Sequence, residues 1–180
     1  MILLYLLSGF AGLVYEIVWS RLLALQLGHT SGAISTVLAA FMGGLAAGAF
    51  FGGRAASRLT PVQALRAYAC LELLVAACAI ALPLVLRAAS PILAALYGDG
   101  PSAIFAVARV AFCLALVSIP AALMGATYPI AIRGCQAVPR GGRAERTLYA
   151  SNAAGAALGA APTGFVLLPA LGTAKTIWLG

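Results

Sequence analysis

Charge is scarce in this sequence. Only 8% of its 180 residues are Asp, Glu, Lys or Arg, and just four, Glu16, Glu72, Asp99 and Glu145, are acidic. A soluble domain is about a quarter charged and about half apolar, whereas here 63% of the residues are apolar. Water is therefore not the main solvent of the folded chain. Histidine is nearly absent, with His29 alone in a polar break. That scarcity leaves no metal-ligand cluster, no paired carboxylates and no nucleophile elbow, so neither a catalytic constellation nor a cofactor or metal site is expected. The four cysteines, Cys70, Cys78, Cys113 and Cys135, have neither zinc-site nor disulfide-framework spacing. They read as small apolar packing residues.

What the sequence has is long apolar runs. A helix needs about 20 apolar residues to cross the hydrocarbon core, and five runs meet that length, at about 2–26, 32–53, 63–86, 103–131 and 147–169. A sixth is expected to start near Ala174, with the chain stopping at Gly180 before it could cross, which reads as a fragment of a longer protein. The expected fold is all-α, a single polytopic transmembrane bundle over residues 1–180 with the lipid bilayer as its surroundings. Continuous Ala-, Leu- and Gly-rich runs do not fit the short alternating strands of a barrel. The opening stretch lacks the basic start of a signal peptide and continues through Glu16 and Trp19, so it reads as a retained first helix.

Breakers separate the runs: Gly28 to Thr30, Thr60 and Pro61, Gly98 to Pro101, Pro139 to Gly142, and Pro169 to Gly172. Gly98, Asp99 and Gly100 read as a turn, since no βαβ unit surrounds them. Pro120 and Pro129 fall within the fourth run, where each removes a backbone donor and is expected to kink or end the helix.

The net charge of +7 is distributed as membrane orientation requires, so nucleic-acid binding is not expected. Arg54, Arg58 and Arg66 flank the second connection, and Arg133, Arg140, Arg143 and Arg146 flank the fourth. The other connections hold only Arg87 and Lys175, offset by Asp99. Both Arg-rich loops, and with them the N-terminus, are expected on the cytoplasmic side.

Small residues recur every four positions at Gly44, Gly48 and Gly52 in the second run and at Ser151, Gly155 and Gly159 in the fifth. Such stripes let helix backbones approach closely. Four ionisable residues lie inside the runs: Glu16, Arg21, Glu72 and Arg109. Each costs about 2.5–3.5 kcal/mol at a helix centre, so each is expected to face the bundle interior, a partner or water. Glu16 shares a face with Gly9, Gly12 and Ser20 and is the first choice for an interior polar site. Arg109 is its expected ion-pair partner, serving either to lock two helices or to line a substrate or proton path. Arg21 is expected to snorkel outward. Glu72 is read either as a carboxyl hydrogen-bonded to a neighbour or as a titrating group.

These residues also carry a resemblance. SGFAGLVYEIVWSRLLALQLG (Ser8 to Gly28) and STVLAAFMGGLAAGAFFGGRAASR (Ser35 to Arg58), with LMGATYPIAIR (Leu123 to Arg133) and LYASNAAGAALGAAPTGFVLLPALG (Leu148 to Gly172), resemble the membrane part of multispanning spermidine synthase-like proteins of bacteria. The resemblance covers nearly the whole chain. It implies a bacterial inner (plasma) membrane location and six helices when complete, arranged as in half of a major facilitator transporter. It also implies a C-terminal soluble domain like the polyamine aminopropyltransferases, absent from this chain. The loop GGRAASR (Gly52 to Arg58) is basic like the corresponding facilitator loop but lacks that loop's usual acidic residue.

Two functions are open at this stage. One is transport or membrane delivery of a small cationic molecule such as a polyamine, with Glu16 and Glu72 as its partners. The other is a structural anchor for the soluble enzyme domain. A homo-oligomer is compatible with either.

Overall fold

A computed structural model of the protein describes residues 2–27, 31–97, 103–135 and 143–180. The expected connections at 28–30, 98–101 and 139–142, with His29, Asp99 and Arg140, lie outside the described residues. Helices α1 (Ile2–Leu27), α2 (Ser31–Ala56), α3 (Pro61–Tyr97), α4 (Ala103–Cys135) and α5 (Arg143–Pro162) follow in order. A π-helical turn, Thr163–Leu167, then leads into α6 (Leu168–Ile177). Five stretches, counting α5 to α6 as one, are long and apolar enough to cross a bilayer. Their outward faces bear large apolar side chains, with Leu73 72% and Phe165 86% exposed. Water would not tolerate that surface, and the chain is a helical membrane protein.

The start of α3 has a local cause. At the start of α3 the Thr60 N–H donates to Gln63 Oε1 (2.9 Å) and the Gln63 N–H donates to Thr60 Oγ1 (3.3 Å), with Pro61 at the first helical position. This reciprocal cap satisfies two otherwise orphaned donors. The same helix corrects the expected end near residue 86, because it continues through Pro91 to Tyr97. Apolar sequence resumes after Arg87, and Ser90 Oγ folds back to donate to the Leu86 carbonyl (3.0 Å), so the polar break is absorbed within the helix. Likewise α4 runs through Pro120 and Pro129 and ends only at Cys135.

The break expected at Pro169 to Gly172 is realised at one residue. Gly172 alone has positive φ (73°), while Pro169 lies inside α6. Beyond it Thr173 and Ile177 share a small hollow with Leu22 and Gln26 of α1, and Gly180 lies against Val14 and Tyr15. The chain thus reverses beside the C-terminal end of α1 and heads back along it.

Packing divides the bundle into two close pairs, α2 on α4 and α1 on α5, with α3 against α4. A Cβ at Gly44 would meet Ala121 Cβ at 2.7 Å and the Ser118 carbonyl at 2.8 Å, one at Gly48 would strike the Ala122 carbonyl, and one at Gly52 would lie 2.7 Å from Ala126 Cα. Both helices advance by four residues together, so they run parallel. Gly155 against the Leu6 carbonyl and Gly159 against that of Phe10 give α5 and α1 the same parallel register.

The ends of the bundle are distinct. Tyr5, Ala56, Ala64, Tyr68, Ile130, Ala131 and Leu148 form one apolar cluster at the end holding the start of α1. Arg54, Arg58, Arg66 and Arg146 are exposed toward that end, and Arg133 Nε donates to the Leu59 carbonyl (2.8 Å). A second cluster gathers around Trp19, Leu23, Phe41, Leu82 and Val117.

Candidate functional site

Between the helices lies a partly enclosed cavity of about 410 Å³. Five helices contribute to its wall, and α1 supplies most of the polar face. Tyr5, Ser8, Gly12 and Glu16 recur at spacings of three or four residues and line it together. Glycine matters here because Gly9 brings α1 onto the Asn152 backbone, and Gly125 of α4 lies against the Leu45 carbonyl of α2. Side chains at these positions would push the walls apart.

Glu16 and Glu72 both line this cavity and both are half-buried. Ser8 Oγ donates to Glu72 Oε1 at 2.7 Å, tying α1 to α3. Tyr68, one turn before Glu72 on α3, is buried beside this group. No side-chain hydrogen bond of this kind holds Glu16 among the described residues, so its carboxyl is left to face the cavity. Thr127 and Asn152 add polar surface, and the Tyr5 hydroxyl reaches Thr127.

Aromatic rings supply much of the remaining wall. Tyr5 stacks toward Tyr128 (6.3 Å between centroids) and packs against Tyr68 (6.0 Å), while Tyr128 meets Tyr149 edge-on (6.2 Å). Tyr5, Tyr128 and Tyr149 of this set line the cavity, and Tyr5 and Tyr68 belong to the apolar cluster at the arginine-rich end. On the other side Tyr15 stacks on the buried Trp19 at 5.5 Å. Carboxylates and the negative faces of aromatic rings both favour a cation.

The arginines of the spanning segments are elsewhere. Arg21 is exposed on the outer surface of α1. Arg109, expected beside Glu16, instead lines a separate hollow with Gln26, Ser90 and Phe105. The expected ion pair does not form. Gln26 is ten residues beyond Glu16, about 15 Å along a helix, so Arg109 sits too far toward the opposite end to reach it. The charges of the bundle interior are sorted: Glu16 and Glu72 enter one cavity, and among the described residues no cation lines it.

Sequence reading singled out the two glutamates and the glycine stripes but missed the tyrosines, Ser8, Thr127 and Asn152. Part of that signal was present, since Tyr5, Ser8, Gly12 and Glu16 form one helical face. The contribution of Tyr128, Tyr149 and Asn152 depends on how α4 and α5 are placed, which no local spacing specifies. Comparison with protein-family models, curated proteins and solved structures finds no match for this chain.

Proposed function

We propose that this membrane domain binds a small organic cation in the central cavity and carries or delivers it across the bilayer, a polyamine-type amine being the class that the spermidine synthase-like resemblance suggests. One observation carries the reading. In a chain of net charge +7, the two half-buried acids of the spanning segments, Glu16 and Glu72, converge on a single tyrosine-lined cavity with no cation among its described lining residues, while Glu145 is exposed at the start of its span. Burying carboxylates in a bilayer is expensive, and a bound cation offsets the cost. Glu16 is the direct contact, because its carboxyl is not engaged by a neighbour. Glu72 is held in place by Ser8 and forms the second pole of the site.

Binding of radiolabelled putrescine to the purified chain tests the proposal. Saturable binding should weaken about ten-fold or more in Glu16→Gln, the loss of one charge-assisted contact. A domain that only anchors an enzyme would bind no diamine, and equal binding by wild type and Glu16→Gln would remove the cavity from consideration.

A further inference from the structure

We infer that the end of the bundle opposite the arginine-rich connections carries an oxyanion site, built on Arg109 and suited to a phosphate or phosphodiester group. The inference is independent of the central cavity. Orientation explains arginines at one end only. Arg87, Arg109 and Lys175 lie toward the other end, and Arg109 sits inside a helix that spans the bilayer from Phe105, where a charge requires a local reason.

The geometry supplies one. Arg109 Nε is buried and has no hydrogen-bond partner, and the guanidinium lies over the Phe105 ring at 5.4 Å. A buried charged donor left unpaired is costly, and an incoming oxyanion satisfies it with a directional, charge-assisted bond. The side chain opens on a hollow of about 360 Å³ that it shares with Gln26, Ser90 and Leu93. Gln26 offers an amide donor from the end of α1. The Ser90 hydroxyl, now bonded to the Leu86 carbonyl, can exchange that bond for one to the ligand.

Gln26 and Ser90 also line the neighbouring hollow of about 130 Å³, which includes Arg87 and the start of the reversed segment at Thr173. The site therefore has one half-buried cation, a second cation beside it, two neutral polar groups and an apolar rim. Arg109 lies one turn inside its spanning segment, which begins at Phe105. That is headgroup depth, where a phospholipid phosphodiester and a free phosphate ester share the same recognisable chemistry.

Native mass spectrometry of the full chain in a zwitterionic detergent distinguishes the sources. Phosphatidylglycerol should be retained in preference to phosphatidylcholine with the same acyl chains, and Arg109→Gln should weaken the tightest phosphatidylglycerol binding about ten-fold while Arg66→Gln, at the other end, leaves it unchanged. Competition by millimolar inorganic phosphate would show that the oxyanion alone suffices; failure to compete would assign the site to a lipid headgroup held with its chains. Should Arg109→Gln not fold, Arg109→Lys and Gln26→Ala probe the same hollow without removing its cation. Equal retention of the two lipids, or wild-type phosphatidylglycerol affinity in the Arg109 and Gln26 variants alike, would overturn the assignment.

Discussion

At the scale of single residues, the glycines of α2 divide into two kinds that sequence alone does not separate. Gly48 faces backbone, the Ala122 carbonyl, which cannot rotate away, whereas Gly43 has nothing within 4 Å of its would-be Cβ. Gly48→Ala should therefore destabilise the purified protein by about 1–3 kcal/mol through overpacking. Gly43→Ala should be neutral or stabilising by up to about 1 kcal/mol, since alanine is the better helix former. Thermal unfolding of the two variants checks both signs, and equal effects would remove the close α2 to α4 approach. A second residue-scale consequence concerns the tie between α1 and α3. Loss of the Ser8 hydroxyl in Ser8→Ala should lower stability by about 0.5–1.5 kcal/mol, the range for hydrogen bonds inside membrane proteins. A Ser8→Thr variant, which keeps the hydroxyl, should recover most of it.

At the scale of helices, the spanning segments were legible because each is a continuous apolar run of the length a bilayer requires. Their true ends were less so. Arg87, Ser90 and Pro91 look like a loop, yet α3 continues through them because Ser90 bonds within the helix and PILAALY restores an apolar surface. The small-residue stripes marked which faces approach closely, but a stripe does not name its partner. Gly44, Gly48 and Gly52 meet Ser118, Ala122 and Ala126 of α4, and Gly155 and Gly159 meet the start of α1. The α4 face carries its own small residues at the same spacing, Ser118, Ala122 and Ala126, whereas the α1 face offers the Leu6 and Phe10 carbonyls and no small-residue stripe at those positions. The same blindness to partners put Arg109 beside Glu16. The parallel register gives a direct test by disulfide crosslinking in a chain lacking its native cysteines. Gly52→Cys with Ala126→Cys should crosslink readily, their Cβ positions being 2.9 Å apart before relaxation. Gly52→Cys with Ser118→Cys should not, and crosslinking of that second pair instead would require antiparallel packing.

At the scale of the whole molecule, two sets of charges organise the bundle. Exposed arginines gather at the end holding the start of α1, and on the positive-inside rule we propose that this end is cytoplasmic. With native cysteines replaced, Ser57→Cys should be shielded from an impermeant thiol reagent in intact cells while Ala95→Cys, near the far end of α3, reacts; the reverse pattern would invert the topology. The second set is interior, the two glutamates that give the cavity its sign. Glu16 and Glu72 could be named from sequence as costly intramembrane acids, but their convergence depends on α1 and α3 meeting across a shared space. The most direct test reads the cavity's potential with Ala76→Cys, a lining position on α3, in a chain lacking its other cysteines. A cationic methanethiosulfonate reagent should modify it about ten-fold or more faster than an anionic one of similar size, putrescine should protect it, and Glu16→Gln should diminish both effects. Equal rates for the two reagents, with no protection by putrescine, would contradict a cation-binding cavity.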